Sequence, residues 1–434
     1  MNKVSKKIFS YFLIIFSILS YFVGFYLNEN SAGAGSLVFG DLKNTWNNLN
    51  TFLNNSILDG VHLTTSLNTD VYKSSRTPLI YIIHKIFNPF TDSVMSFRIS
   101  VFIFSLLIPI LFFLNLRKKY KDTDIVILML ISSIVLLSPY LRTSAFWGGE
   151  ENFGIITTLL SFLFLQLLFE TDNKFKEKIY LLSVILFSSL CVYFDHKLLL
   201  IPIICFFSIY FSGKFSFRIL SILLYFICSL PFLYLVKLWG HIIPTGDAAS
   251  RLSNDFYLHH VGYSVTILAF YLLPLVFFKK NPIRDSFNKF LKNKNNIFFL
   301  LFFLIYIFYL IFFYKYENEI TLGKGFFYKI AIFLFNSLTF QKIFLFIGFY
   351  ICWVIILFIK DKKIINNFII SYFLIIPIFF WPLLQEYFDP IIFLLIFTFC
   401  RFDIKINYNN VFFLFFYFGI FLAACNVYYY NLLN

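Results

Sequence analysis

The sequence predicts an all-α polytopic membrane protein, and three observations predict it. Of the 434 residues, 60% are hydrophobic and only 13% are charged, with a mean hydropathy of +0.80. A soluble protein of this length has a polar surface to cover, and this chain has too few polar residues to cover it. The apolar residues form continuous runs close to the roughly 20 residues that carry a helix across a bilayer core. They do not alternate with polar ones as in a membrane β-barrel. Finally, Lys and Arg cluster between the runs on alternate sides. Backbone groups in lipid must be satisfied within their own segment, so each run is expected to be a helix.

Taken in order, "MNKVSKKIFSYFLIIFSILSYFVGFYL" opens with three lysines and a long apolar stretch without a small-residue cleavage site. It reads as an uncleaved first span and not as a signal peptide. Spans are expected near 8–27, 97–116, 125–141, 154–169, 179–194, 198–212, 217–236, 262–278, 297–314, 341–359, 366–384, 390–402 and 411–428. The runs 198–212 and 390–402 are short for a crossing, so the expected count is 11 to 13. Pro109, Pro202, Pro231 and Pro377 fall inside spans, which membrane helices tolerate.

The segments 1–7, 117–124, 170–178, 213–218, 279–296, 360–365 and 401–410 hold 23 of the 36 Lys and Arg but only 8 of the 22 acids. The positive-inside rule puts them, and the N-terminus, in the cytoplasm. The opposite side then carries a long first loop (28–96), medium loops (237–261 and 315–340) and short ones (142–153, 195–197 and 385–389). All six histidines lie there, so a site is expected to open to the periplasm or lumen. One integral membrane domain, 1–434, is expected: the first loop with interfacial helices, core helices over 97–236 and C-terminal helices over 237–434. The net charge of +14 sits in inter-span clusters, a membrane pattern and not one for nucleic acid. Abundant Phe (66), Ile, Asn and Lys fit AT-rich codons, hence a bacterial inner membrane. The six cysteines lie in or at the ends of apolar runs without C-x-x-C spacing and read as small buried hydrophobes.

Groups able to do chemistry gather on the outward side. In the first loop Asp41 precedes an amphipathic stretch in which Leu42, Trp46, Leu49, Leu53 and Leu58 share one face. Asp41 reads either as a helix cap or as a general base within reach of an acceptor hydroxyl in a pocket that excludes water. "RTPLIYIIHKIF" follows, a short apolar helix opened by Pro78 and expected at the interface. In "SAFWGGEENFGII" two neighbouring carboxylates follow two glycines. Adjacent side chains diverge, so Glu151 is expected to serve a site and Glu150 to take the solvated half of a turn, with an acceptor pocket as its other reading. "YFDHKLLLIP" offers His196 and Lys197, either a snorkelling hairpin or a phosphate subsite. "QEYFDP" adds Glu386 and Tyr387. Arg76, His84 and Arg142 are further cations or bases on that side. No P-loop, H-E-x-x-H or G-x-S-x-G occurs.

In this order the pieces resemble the GT-C glycosyltransferases that use a polyprenyl-phosphate-linked sugar, nearest the protein mannosyltransferase and lipid A aminoarabinose transferase branch. The resemblance runs through residues 1–210. Asp41 matches the acid after the first span, with Leu42 in place of the usual second acid. "RTPLIYIIHKIF" is similar to the H-P-P-L-Y-Y helix, with Thr77 for the first proline. Arg98 matches the arginine before the second span, Ser138-Pro139 the "SP" before an outward turn, Glu151 the acid opening the next span, and Lys197 the lysine before L-L-x-P. Late in the chain Glu386 stands where arginine is usual. The resemblance implies that Asp41 deprotonates an acceptor hydroxyl on a lipid, glycan or protein. That oxygen displaces lipid phosphate with inversion. Lys197, His196 or Arg76 would stabilise the leaving phosphate, and Glu151 would position the acceptor. Glu150, His84, Arg142, Tyr387 and Glu386 would line the acceptor pocket. The resemblance fixes no cofactor and leaves a divalent metal open, and membrane lipid is a further partner.

Two other classes stay in view. A polysaccharide polymerase or lipid-linked sugar flippase would favour arginines in its larger outward loops, whereas 237–261 holds only Lys237 and Arg251. A transporter or channel would need charges deep in its spans, where they are nearly absent.

Overall fold

The computed structural model describes residues 2–33, 41–65, 77–212, 215–240, 256–279, 288, 290–316, 323–360 and 363–433. Among them there are helices and no strand; one isolated antiparallel bridge joins Lys279 and Ile404. The protein is an integral membrane protein. Eight of the described helices are long and apolar enough to cross a bilayer, or nine if one bent pair counts as a span. Large apolar side chains cover their outer faces, such as Phe298, Ile305 and Phe312 on one helix. An aqueous surface would not carry so much exposed apolar area; lipid accepts it.

The chain divides into two compact units, Met1–Ser250 with Phe415–Asn434, and Arg251–Leu414. In the first unit α1 (Lys3–Tyr26) starts on an Asn2 cap that accepts from the Ser5 N–H at 2.8 Å. The first-loop helices α2 (Asp41–Asn54), α3 (Ile57–Thr65) and α4 (Leu79–Phe87) follow. Next come α5 (Val94–Lys119) and a broken pair, α6 (Ile125–Leu137) and α7 (Pro139–Phe146). The hairpin of α8 (Glu151–Glu170) and α9 (Lys174–Phe194), then α10 (Leu200–Ser212) and α11 (Phe215–Trp239), complete the run. α8 is the axis: 67% of its apolar window is buried, against 11% for α11, which faces lipid. Small and polar side chains sit at the helix contacts, as expected where lipid supplies no hydrophobic drive between helices. Tyr21 on α1 bonds Ser105 on α5 at 2.7 Å. Asn115 on α5 donates to the Leu159 carbonyl of α8 at 2.9 Å and accepts from Gln166 at 3.2 Å.

The expected span 125–141 breaks inside its length. α6 and α7 meet at 66° because Ser138 is extended, caps α7 by accepting from Leu141 N–H at 3.0 Å, and precedes Pro139 at the first helical position. The amphipathic face of the first loop also ends early. Leu42, Leu49 and Phe52 are buried, but the helix stops at Asn54 and Leu58 is exposed.

In the second unit α12 (His260–Leu272) is almost wholly buried, and the short α13 (Leu275–Phe278) follows it. α14 (Lys294–Phe313) and α16 (Leu338–Ile359) pack through Phe303 on Trp353, with ring centroids 4.8 Å apart. Between them lies α15 (Gly325–Leu334), a helix inside the stretch expected as a loop, 315–340. α17 (Ile364–Ile375) precedes α18 (Ile391–Thr398). All eight residues of α18 are buried, so the expected segment 390–402 is an internal half-helix and too short to cross. The last helix is α19 (Tyr408–Leu433), which from Phe415 onward belongs to the first unit.

Candidate functional site

Three of the singled-out segments meet at the end of the first unit where α1 finishes. Leu42, the residue after Asp41, lies against Gly148: a Cβ on Gly148 would stand 3.3 Å from its Cδ1 and 2.7 Å from Phe97. Gly148 has φ 74, a value that favours glycine and lets the chain turn back under α2. The turn delivers Glu150 and Glu151 to the start of α8, where a carboxylate suits the helix dipole. One turn later Gly154 packs against Leu198 and Asp195, a Cβ there falling 2.7 Å from Leu198 Cδ1. The Asp195–Lys197 turn therefore sits on the first turn of α8. Asp195 is buried and accepts from the Lys197 N–H at 3.1 Å. Thr77 donates to the carbonyl of Tyr193, which brings the start of α4 to the same end.

Within this arrangement Asp41 is exposed as the first residue of α2, not enclosed in a water-free pocket. Glu151 is half-buried, and Ser144 Oγ donates to its Oε2 at 2.8 Å. Glu150 reverses expectation: it is 2% exposed and the more enclosed of the two. Adjacent residues do diverge, but the Gly148–Gly149 turn aims the first one inward. His196 is exposed and Lys197 half-buried. Arg76 lies outside the described residues. Glu386 and Tyr387 belong to the second unit, half-buried in a short 3-10 turn. Among the described residues no three His, Cys, Asp or Glu side chains form a group able to hold a metal.

Arg142 is taken up by packing and does not line a pocket. It is 2% exposed, pairs with Glu29, and donates to the Leu136 carbonyl at 2.8 Å and to Ser20 Oγ at 2.7 Å. Arg98 works beside it, donating to the Phe146 carbonyl (2.8 Å) and Asn28 (3.0 Å) and lying 4.5 Å over the Trp147 ring. Trp147 Nε1 in turn donates to the Glu29 carbonyl at 2.9 Å. The network ties the end of α1 to α5 and α7 and so anchors the turn that carries Glu150 and Glu151. Sequence reasoning missed Glu29, whose partner is 113 residues away.

His84 is buried between the edges of Phe97 (4.9 Å) and Phe153 (5.3 Å). The Asn88 amide donates to its Nδ1 at 3.0 Å. Burial lowers its pKa from the usual 6.5 to about 4. Below pH 6.5 the unfolded chain therefore takes up a proton that the folded ring refuses until about pH 4, so the stability this ring contributes is lost as pH falls through that window. His84→Phe is expected to lessen the drop in unfolding temperature between pH 7 and pH 5 in detergent. An unchanged drop would mean that His84 is not buried in its neutral form.

Sequence reasoning also missed a second polar cluster, in the second unit around Lys324. Its signal was legible: Lys324 stands between two glycines, Gly323 and Gly325, and His259-His260 is the chain's one histidine pair. No protein-family model, curated protein or solved structure matches the chain.

Proposed function

We propose that this protein is a membrane glycosyltransferase. In this reading it moves a sugar from a polyprenyl-phosphate-linked donor to an acceptor hydroxyl on the periplasmic or lumenal face, with the N-terminus in the cytoplasm of a bacterial cell. The observation that carries the reading is the meeting, at one end of the first unit, of the Asp41 helix, the Gly148–Glu151 turn and the Asp195–Lys197 turn. Carboxylates and cations from separate segments supply the two charges such a displacement needs. Asp41 takes the proton of the acceptor hydroxyl. The oxygen attacks the anomeric carbon as the bond to the phosphate oxygen breaks, inverting that carbon. The departing lipid phosphate keeps the electron pair, and Lys197 with His196 stabilises it. Glu151, oriented by Ser144, holds the acceptor. Exposure of Asp41 fits a base that is covered when lipid-borne substrates arrive.

The test is transfer by detergent-purified protein from radiolabelled polyprenyl-phosphate sugars to membrane lipid extract. Asp41→Asn is expected to lower the rate about 10²–10⁴-fold while leaving the unfolding temperature unchanged. Equal rates would move the base to Glu151 or another acid. No transfer from any donor would remove the reading in favour of a lipid-linked sugar flippase or transporter.

A further inference from the structure

The lipid-facing helix α11 carries Pro231 inside its length. Proline has no N–H, so the Ile227 carbonyl loses its helical partner. The next rung is altered as well. In a regular helix the Phe232 N–H donates to the Cys228 carbonyl four residues back. Here the hydroxyl of Tyr193, from the last turn of α9, bridges that pair. It accepts from the Phe232 N–H at 3.1 Å and donates to the Cys228 carbonyl at 2.6 Å. One rung of α11 is therefore missing, and the one after it is shared with a side chain of another helix. A proline and a side chain entering the ladder are both established causes of helix bending. In lipid the backbone groups so loosened need another partner, and the Tyr193 hydroxyl supplies one.

Beyond this point α11 is held lightly. Leu233 and Lys237 are exposed. Tyr234 Oη lies 3.4 Å from His62 Nε2 of α3, which is longer than a strong hydrogen bond. Trp239 is 1% exposed, yet its indole N–H has no acceptor among the described residues. Buried donors are nearly always paired, so this one asks for a second position of the segment in which it is paired. Tyr193, by contrast, is held at both ends. Its carbonyl is one of those left over at the end of α9, and it accepts from Thr77 just ahead of α4. Two residues later Asp195 opens the turn that carries Lys197. Tyr193 thus joins the weakened point of α11 to the end of the first unit where the candidate site lies.

We propose that residues 228–232 form a hinge with Tyr193 as its pin, on which Phe232–Trp239 swings to admit a lipid-borne substrate from the bilayer. The hinge stands on the contact of α9 with α11; what it admits rests on the transfer reading. A polyprenyl chain is too apolar to leave the bilayer through water. It has to reach a site at the membrane surface sideways, through the wall of the bundle. Among the eight candidate spans α11 is the least buried, at 11% of its apolar window. Its end segment therefore has the fewest packed contacts to give up when it moves.

The test measures movement directly. Spin labels are carried on non-canonical residues, so that the native cysteines stay in place. One pair sits at exposed Leu19 of α1 and exposed Leu233 beyond the hinge, the other at Leu19 and exposed Ile222 before it. Pulsed EPR in nanodiscs reads both distances with and without polyprenyl phosphate. The lipid is expected to shift the Leu19–Leu233 distribution and leave Leu19–Ile222 in place. Tyr193→Phe removes the bridging hydroxyl, lets Phe232 pair directly with Cys228, and is expected to abolish the shift. Pro231→Ala restores the missing rung and is expected to do the same, which covers the case of a Tyr193→Phe protein that does not fold. An unchanged Leu19–Leu233 distribution, equal shifts of both pairs, or a full shift in either variant would overturn the proposal. Transfer activity separates the two readings. Transfer by a protein whose end segment does not move removes the hinge alone. Movement in a protein that transfers from no donor keeps the hinge and removes the transferase.

Discussion

Replacing Arg142 by leucine is expected to destabilise the protein by roughly 3–5 kcal/mol, the cost of leaving one member of a buried ion pair behind. Arg142 is 2% exposed and Glu29 12%, so water does little to screen either charge. The loss also strands Ser20 and the Leu136 carbonyl, which receive the other two guanidinium nitrogens. Glu29→Leu should cost a similar amount, since a buried guanidinium then lacks its counter-charge. The double substitution to apolar residues should cost much less than the sum, because neither charge is left alone. Unfolding midpoints of the four proteins in one detergent measure the cycle. Single variants within about 1 kcal/mol of the parent would show the pair to be solvated, and the anchoring role given to it would fail. Gly24 supplies a companion result: a Cβ there would run into the Glu29 carboxylate and stand 3.2 Å from Arg142.

Gly325→Val is expected to destabilise the second unit by roughly 2–5 kcal/mol, from two separate causes. The backbone at Gly325 has φ 78, which a β-branched residue resists. Its Cβ would also stand 2.6 Å from Ile267 Cγ1. Ile267 belongs to the buried α12 and is itself 2% exposed, so it has little room to yield. Gly419→Ala is the control: a Cβ there meets nothing within 4 Å, and alanine favours a helix. Thermal unfolding should separate the two by several degrees. A Gly325→Val protein as stable as Gly419→Ala would mean that the Lys324 turn does not have this conformation.

The membrane fold was legible because hydropathy acts residue by residue, and every long helix here contains its own signal. α15 is apolar too, but at ten residues it fell below the length that flags a span. The break between α6 and α7 was half legible. Ser138-Pro139 marks a boundary, but its 66° angle depends on what α7 packs against. Side-chain partnerships were least legible. Nothing local to Arg142 names Glu29, and nothing in "GGEE" says which carboxylate turns inward. That is decided by Gly148, which has a positive φ and lies against Leu42 and Phe97 of other helices. The enclosure expected around Asp41 was not legible either, since a sequence does not say what covers the start of a helix, and Asp41 is exposed there.

The lipid-facing side of α11 has an evolutionary corollary. Ile222, Leu223, Phe226, Ile227, Leu230 and Leu233 are all exposed on it, and a bilayer asks of them only a favourable transfer free energy. Phe, Ile and Leu meet that demand about equally. Exchange among them is close to selectively neutral, so mutational bias can choose the residue. A gene poor in G and C would write phenylalanine and isoleucine at such positions without altering the fold.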